Sequence, residues 1–415
     1  MNSNVSISRR KLLKLSAAGF GGAVTGLAGF NSGRMASGVS LNRQQQEVLD
    51  ASQLITGKDK RLIVLKSGPA VFETPLELLN ESHITPTELL FVRNNQQPKS
   101  MATIAGVLQD DWAVEVLGKS ITLGQLKELS QKSVEMVLQC SGNGRSLFSL
   151  DAQTKGTQWG RGGVGCVSFG GIKLSKVLDH LGIDVNVDGK FLLAEGKDKP
   201  LPDKEDFLHT LPAVAALNRS MLAISMNGKP LPAIHGGPVR LITPGVFGTM
   251  HIKWLGRLSV VDSESSNYNH VPRYRVPNRR IKPGAEFDFN LENSKSNWNM
   301  KVKTVLLNPI EGARLTAGKN KIQGVAFNDG FADIETVLVS FNKGETWQQS
   351  ELKKPESKFS WTHFEIEKEL AAGEASIWTR AIDSRGRSQP LNGSVAWNPR
   401  GYEWNGVEKV TVNVS

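Results

Sequence analysis

Several residue types and motifs that mark common protein classes are scarce or missing in this 415-residue sequence. Its two cysteines, Cys140 and Cys166, are too few for a disulfide framework or a four-thiolate zinc site. Beyond residue 40, no window of about 18 apolar residues runs without glycine or polar interruption, which argues against a membrane protein with several spans. A P-loop, an H-E-x-x-H zinc motif and a C-x-x-C-H haem-attachment motif are also missing. The length predicts a globular protein of two or three domains.

The positive charge of the chain is unevenly placed. The 50 Lys and Arg residues exceed the 40 Asp and Glu residues and give a formal net charge of +10. Five of these positive charges lie in the first 40 residues, which contain no acid, so the remainder carries only +5. No basic helix interleaved with aromatic residues is visible, and a nucleic-acid partner is therefore not expected.

Residues 1–40 have the pattern of an export signal. Arg9 and Arg10 are followed by Leu12 and Leu13, and a Gly/Ala-rich, weakly apolar run then continues to Phe30. A charged start, a short apolar middle and small residues after it indicate a signal peptide, and the paired arginines resemble the twin-arginine type. The alternative is a disordered basic tail. Because the twin-arginine route exports folded proteins, this segment predicts a periplasmic redox enzyme.

The remaining chain divides by pattern into two parts. Residues 41–280 alternate short strand-like runs with helical spacing, which predicts an α+β domain. Within it, 41–60 is interpreted as a polar linker or surface helix and 262–283 as an irregular connection. Residues 281–415 contain about seven short runs of period two separated by turn signals, which predicts an immunoglobulin-like β-sandwich.

The segment around Cys140 is the most informative in the chain. Cys140 ends an apolar run that starts at Ser133 and enters a turn containing Gly142 and Gly144, with Arg145 directly after it. Glycines in such a turn allow positive φ and close approach of a large ligand to the backbone. From the residues alone, Cys140 is either a thiolate presented to a cofactor, a nucleophile, or a buried structural cysteine, and the last is the commonest fate of a lone cysteine.

This segment resembles the molybdenum-binding segment of the sulfite oxidase family. Further blocks resemble that family in the same order, over about residues 60–415. They are Phe91–Asn94, Asn227–Pro232, His235–Arg240, Pro244–Gly248, His251–Leu255 and Trp397–Gly401.

The resemblance implies a sulfite-oxidase-type molybdopterin domain followed by a dimerisation domain, with one molybdenum–molybdopterin per chain and no haem. Cys140 would be the metal ligand, because a soft thiolate suits molybdenum. The catalytic residues implied by the resemblance are Arg93, Arg145 and Arg400, which would bind the oxyanion, and Tyr274, which would donate a hydrogen bond. The cofactor-binding residues implied by it are Val92, Asn94, Asn95, His235, Arg240, His251, Ile252 and Lys253.

Asn95 and Cys166 each carry a further expectation. Asn95 stands where many family members have a histidine, so any proton transfer by that histidine is in doubt here. Cys166 has no partner if Cys140 binds the metal, and we expect it to be a small buried residue.

The resemblance implies periplasmic oxidation of sulfite to sulfate, with electrons passed to a separate cytochrome c. The chain would form a homodimer or associate with a haem subunit, without a stable membrane span. One alternative is a sulfane-sulfur dehydrogenase subunit of a thiosulfate-oxidising complex. Another is an S-oxide reductase, although that branch generally lacks the C-terminal sandwich. A third is a non-catalytic cofactor-binding protein on the same fold.

Overall fold

The computed structural model describes residues 49–96, 99–198, 205–391 and 395–415. The predicted signal of residues 1–40 lies outside the described residues, as does the first part of the predicted linker. In the described ranges, no helix is both long enough and apolar enough to cross a membrane.

Strands dominate the described part of the chain, and its helices are short. The α-helices are α1 Ala51–Leu54, α2 Leu76–Leu79, α3 Leu123–Glu128, α4 Arg145–Phe148, α5 Leu174–Leu181 and α6 Ala213–Arg219, and 3₁₀ turns cover Lys99–Met101, Ala233–His235 and Gly248–Met250. The strands of the first part are β1 Ile63–Lys66, β2 Val71–Glu73, β3 Val92–Arg93, β4 Ala113–Val116, β5 Lys119–Thr122, β6 Lys132–Gln139, β7 Val164–Lys173, β8 Phe191–Gly196, β9 Leu208–Pro212, β10 Met221–Met226, β11 Lys229–Pro230, β12 Arg240–Ile242, β13 Leu255–Val261, β14 Arg275–Pro277 and β15 Ser294–Ser296. Those of the second part are β16 Lys303–Asn308, β17 Arg314–Leu315, β18 Gly318–Phe327, β19 Ile334–Ser340, β20 Gln348–Gln349, β21 Glu351–Lys353, β22 Thr362–Leu370, β23 Gly373–Asp383 and β24 Glu408–Val414.

The first part is built from small sheets. Strands pair in the orders β1-β2-β3, β11-β10-β7-β6 with β12 also on β10, β5-β4-β13-β8-β9, and β14-β15. Helix α5 shows how sequence spacing sets the packing. Leu174, Val177 and Leu178 recur at helical spacing and are buried in the core beside the third of these sheets. The helix ends at Gly182, whose φ of 59° suits a glycine after the last turn.

The second part is a β-sandwich. One sheet has the order β16-β18-β22-β21 and the other β17-β24-β23-β19-β20. Alternate residues of both sheets face inward, and Ile322, Phe364, Val337, Ile377 and Val412 share one apolar core. The prediction of an α+β part followed by a β-sandwich is therefore confirmed, while the immunoglobulin-like identity of that sandwich stays a prediction.

The two parts are joined by a shared core and by the backbone of residues 357–361. Val137 of β6 and Cys166 of β7 pack into a cluster that includes Phe327 and Trp361 of the second part. The Val137 N–H also donates to the Phe359 carbonyl at 2.8 Å. Residues 49–415 pack as one compact unit, and the boundary placed between residues 280 and 281 stays a prediction.

The described end of the segment interpreted as a linker or surface helix contains α1 and lies partly at the surface. Ala51, Ile55 and Lys58 are buried there, whereas Leu49, Gln53 and Lys60 are exposed. An Asp50 capping box starts α1 and turns the chain inward. The interpretation of residues 262–283 as an irregular connection needs correction. This stretch contains β14, which pairs with β15 and places the buried Arg275 opposite Ser296.

Candidate active site

Strand β6 delivers Cys140 to the centre of the first part. The strand ends at Gln139, and the Cys140 N–H donates to the Gly163 carbonyl at 2.9 Å. The chain then turns sharply, with Gly144 at a φ of 90°. Burial raises the pKa of the Cys140 thiol, although the positive charges of Arg93 and Arg145 oppose this. The thiol side chain lines two cavities, here called the inner cleft and the outer cavity.

The inner cleft brings together most of the residues predicted to bind a cofactor. It is narrow, with about 70 Å³ of open space beside Cys140. The lining includes Asn94, Asn95, His235, Arg240, His251, Ile252 and Lys253, all of which were predicted. Val92 differs, because its side chain is buried in a neighbouring core with Phe72 and Ile234 and does not line the cleft.

Two buried cations, Lys253 and Arg240, line the inner cleft, and a third, Lys58, lies behind His235. The hydrogen-bond partners described for these three side chains are neutral. The Lys58 ammonium donates to the Thr87 and Leu90 carbonyls at 2.6 and 2.7 Å. Lys253 donates to the Asn94 side-chain oxygen at 2.6 Å, and Arg240 donates to the His235 carbonyl at 2.9 Å.

Burial makes these positive charges costly in the absence of an anion. It lowers the pKa of Lys253 well below its usual value, and the nearby charges of Arg240 and Lys58 lower it further. Burial likewise lowers the pKa of Arg240 to about 9. Asp198 is the single acid among the cleft residues, and burial raises its pKa to about 7. The cleft therefore has an unbalanced positive charge that suits a bound anion.

The two histidines of the inner cleft are uncharged and are held by hydrogen bonds. The His235 Nε2 lies 2.9 Å from the Lys58 ammonium and accepts from it. The His251 Nε2 lies 3.2 Å from the Val246 carbonyl, while its Nδ1 accepts from the Thr243 N–H at 3.2 Å. Burial lowers the pKa of both rings, that of His251 to about 3, and nearby cations lower them further. Both rings are therefore neutral, and their hydrogen bonds hold them in place.

The outer cavity is larger and is lined mainly by cationic and aromatic residues. Its volume is about 620 Å³, and it contains the predicted catalytic residues Arg93, Arg145, Arg400 and Tyr274 beside Cys140. Arg400 is contributed by the C-terminal part of the chain, so both parts line this cavity. Among the described residues that line it are four arginines, two lysines and one acid, Glu205, so this cavity also suits an anion.

Arg145 is held by the backbone around it. Its guanidinium donates to the Arg400 carbonyl at 2.8 Å and to the Thr157 carbonyl at 2.7 Å. It also lies 5.1 Å from the centre of the Tyr402 ring. A Cβ atom at Gly142 would lie 2.6 Å from the Arg145 guanidinium. Glycine at this position of the cysteine turn therefore leaves the space that Arg145 occupies. Arg145 thus joins the cysteine segment to the C-terminal segment that contains Arg400.

Arg93, Asn95 and Tyr274 form one hydrogen-bonded group. Arg93 donates to the Asn95 side-chain oxygen at 2.6 Å and to the Tyr274 hydroxyl at 3.3 Å. The Asn95 amide nitrogen donates to the same hydroxyl at 3.1 Å. Tyr274 has a φ of 51°, an unusual value for a bulky residue. Burial raises the pKa of the Tyr274 hydroxyl, but the positive charges of Arg93 and Arg273 and the hydrogen bond with Asn95 lower it by more. The pKa of Tyr274 is therefore lowered overall.

Sequence reasoning missed several residues of the site. Lys58 lies in a stretch that its polar composition marked as a linker, and no local pattern signals its burial. Arg273 directly precedes Tyr274, and it donates to the Asn95 oxygen at 3.2 Å. Tyr402 stacks on Tyr274, with the ring centres 5.2 Å apart. Adjacency to predicted residues could have found the last two, because each lies within two positions of one.

Two family models match this chain. The first describes an oxidoreductase molybdopterin-binding domain and matches residues 101–269. The second describes a Mo-co oxidoreductase dimerisation domain and matches residues 294–415. The first match falls within the α+β part, and the second includes the whole sandwich.

Known proteins similar to this chain include sulfite oxidases. The enzyme of Gallus gallus is 30% identical over 371 residues, which cover 85% of this chain and 78% of that protein. The mitochondrial sulfite oxidase of Rattus norvegicus is 30% identical over 358 residues, which cover 82% of this chain and 64% of that protein. The chain therefore matches less than two thirds of the rat protein's length.

The fold is also found in a solved structure. The sulfane dehydrogenase SoxCD from Paracoccus pantotrophus matches with a TM-score of 0.68 and 24% identity, over 83% of this chain and 87% of that chain. This likeness shows a shared fold. The family models and the identity to the Gallus gallus enzyme confirm the resemblance stated from the sequence, and the chain belongs to the sulfite oxidase family of molybdopterin-binding oxidoreductases.

Proposed function

We propose that the protein oxidises sulfite to sulfate at a molybdenum–molybdopterin centre held by Cys140. The observation that carries the proposal is the position of the Cys140 side chain, which lines both a cleft and a larger cavity. Buried cations with neutral hydrogen-bond partners lie at the cleft, and cationic and aromatic residues form most of the described lining of the cavity. A soft thiolate between two anion-binding spaces suits a metal whose organic ligand and whose substrate are both anionic.

The residues of the inner cleft fit the cofactor. The unbalanced charge of Lys253, Arg240 and Lys58 would meet the phosphate of molybdopterin. Cys140 would supply the thiolate ligand, its proton being released when metal binds. When bound, the molybdenum centre accepts the two electrons of the oxidation. His235 and His251 remain neutral and keep the walls of the cleft in place.

The residues of the outer cavity would bind and orient the substrate. Arg93 and Arg400 offer planar donor pairs that match the oxygens of a sulfur oxyanion. Arg145 adds positive charge beside Cys140 while its donors hold the backbone. The Tyr274 hydroxyl, fixed by Asn95 and Arg93, would orient a substrate oxygen. Asn95 has no titrating proton near neutral pH, so in this chain it orients Tyr274 rather than transferring a proton.

The export route, the electron acceptor and the assembly complete the proposal. The twin-arginine pattern of residues 1–40 supports a periplasmic location. A separate cytochrome c would accept the electrons one at a time. The match of residues 294–415 to a dimerisation domain supports a homodimer built through the sandwich.

A second candidate function is the oxidation of a larger sulfane-sulfur substrate. The outer cavity, at about 620 Å³, is far roomier than a four-atom oxyanion requires. This size favours sulfane-sulfur oxidation as the alternative. An S-oxide reductase is disfavoured by the presence of the sandwich, as argued from the sequence.

We expect sulfite, and not thiosulfate or methionine sulfoxide, to support turnover. The physical reason is that the arginines of the outer cavity match the three oxygens of sulfite. The measurement is reduction of a one-electron acceptor by sulfite or thiosulfate, and oxidation of a reduced dye by methionine sulfoxide. All three should use one sample with a known molybdenum content. Protein that contains molybdenum and is inert towards sulfite would contradict the proposal, and activity with thiosulfate alone would favour the second candidate.

We expect Lys58→Met to reduce molybdopterin occupancy by about tenfold or more. Lys58 holds the ring of His235 and adds buried positive charge, and a charge-assisted hydrogen bond contributes about 1.5–3 kcal/mol. The measurement is the fluorescence of oxidised pterin per chain, with circular dichroism as a check on folding. Lys60→Met is the matched control, because Lys60 is exposed two residues away. Equal occupancy in a folded Lys58→Met variant would refute the role of Lys58.

A further inference from the structure

A second cluster of metal-ligating side chains lies outside both cavities of the site. His83 follows α2, Glu135 lies on β6 and Cys166 lies on β7. One ligand atom from each of these residues lies within 4.8 Å of the other two. The His83 Nε2 and Glu135 Oε1 atoms are 2.7 Å apart. None of the three side chains lines the inner cleft or the outer cavity.

Strand register explains why these residues meet. In the β6–β7 pair, Val137 lies opposite Cys166, and Glu135 lies two residues before Val137 on the same face. The loop that contains His83 is fixed on this face by Thr85. The Thr85 N–H donates to the Cys166 carbonyl at 2.8 Å, and the Cys166 N–H donates to the Thr85 hydroxyl at 3.1 Å.

Both ring nitrogens of His83 have a neighbour within hydrogen-bond distance. Its Nδ1 lies 2.8 Å from the His363 Nε2, while its Nε2 faces the Glu135 carboxylate. The contact with His363 fixes the orientation of the His83 ring. The His83 Nε2 then presents either a proton or a metal ion to the carboxylate, because a bare lone pair would repel it.

We propose that His83, Glu135 and Cys166 bind one Zn²⁺ ion, with His363 orienting His83. Imidazole, carboxylate and thiolate are all ligands that zinc uses, and three protein ligands with one open position form a common zinc site. The thiolate and the carboxylate neutralise the two charges of the ion. The thiol proton leaves to solvent as the metal binds. A histidine ligand whose other ring nitrogen donates to a fixed acceptor is the usual outer arrangement of such sites.

The cluster lies beneath an open cavity that contains several carboxylates. A cavity of about 910 Å³ lies over it and is lined by His83, Glu135 and His363. Four further carboxylates line the same cavity, on Glu81, Glu351, Glu356 and Glu365. Cys166 forms the closed side of the cluster and is fully buried. A cation can therefore reach the His83 and Glu135 side chains from solvent.

The site would bind the two parts of the chain to each other. His83, Glu135 and Cys166 belong to the first part, whereas His363 and Ser360 belong to the second. The Cys166 Sγ lies 3.1 Å from the Ser360 hydroxyl oxygen. The Trp361 indole N–H donates to the His83 carbonyl at 3.1 Å. A zinc ion here would reinforce the contact between the molybdopterin-binding part and the sandwich.

Metal content and cobalt spectroscopy of the untagged full-length protein test the proposal. We expect about one zinc per chain to remain after dialysis. After removal of zinc, added Co²⁺ should give a thiolate-to-cobalt charge-transfer band, because the ion would bind a sulfur ligand. The chain has two cysteines, so Cys140→Ser is the decisive control and should retain both the zinc and the band.

The other variants separate binding from folding. Cys166→Ser should lose the charge-transfer band, and His363→Gln should weaken zinc binding by about 10- to 100-fold. Glu135→Gln should also weaken zinc binding. Because Glu135 is partly exposed, this variant provides the test if Cys166→Ser does not fold. A parent protein without zinc and without a cobalt band would overturn the proposal. A cobalt band that persists in folded Cys166→Ser would overturn it too.

Discussion

Cys140→Ser is expected to lower sulfite turnover at least about a thousandfold, a loss of some 4 kcal/mol in transition-state stabilisation, while the chain still folds and still binds the pterin. The hydroxyl is nearly the same size as the thiol, but it is a hard ligand that stays protonated near neutral pH. The turn should survive because the Cys140 N–H bond to Gly163 does not involve the side chain. The pterin should remain because its anion meets the cations of the inner cleft.

The experiment measures turnover per chain together with molybdenum and pterin content. Circular dichroism and the melting temperature show whether the variant folds as the parent does. Loss of turnover with pterin retained is the expected result. Unimpaired turnover in the Cys140→Ser protein would remove Cys140 from the metal site.

Arg93→Gln is expected to lower kcat/KM for sulfite by about 100- to 1000-fold, or about 3–4 kcal/mol. The change removes a cation from the outer cavity and also releases Asn95 and Tyr274 from a shared donor. Arg93→Lys separates the two effects, because lysine keeps the charge but lacks the planar fork. We expect Arg93→Lys to recover much of KM and little of kcat.

Steady-state kinetics at fixed ionic strength provide the measurement. Arg61→Gln is the matched control, because Arg61 is exposed and pairs with Asp59 at the surface. It should match the parent protein. If Arg93→Gln stayed within about threefold of the parent, Arg93 would have no part in substrate binding.

The order of short blocks along the chain predicted much of the candidate site. Asn94, His235, Arg240 and Lys253 meet at one cleft. Asn94 follows β3, His235 ends a 3₁₀ turn, Arg240 starts β12 and Lys253 lies two residues before β13. Helix α5 follows local signals, since its apolar residues recur at helical spacing and Gly182 follows its last residue. Such local signals survive in the fold because tertiary packing agrees with them.

Other features depend on contacts that a linear pattern does not contain. The burial of Lys58 follows from carbonyls about 30 residues away and from His235, which is 177 residues away. Val92 belongs to a predicted block, yet its side chain faces a core because a strand points alternate residues to opposite sides. The role of Asn95 also required the structure, since its amide contacts Arg93 and Tyr274 at once.

The backbone bond between Val137 and Phe359 has a consequence for how the chain can be divided. Strand β6 is the last strand of its sheet, and residues 357–361 cover the side that β7 leaves unpaired. The Ser357 hydroxyl adds a second bond there, to the Glu135 carbonyl at 2.6 Å. Without the sandwich, this apolar strand would expose free amides and carbonyls, which are a template for pairing between molecules. The C-terminal part therefore protects the catalytic part from aggregation in addition to any role in assembly.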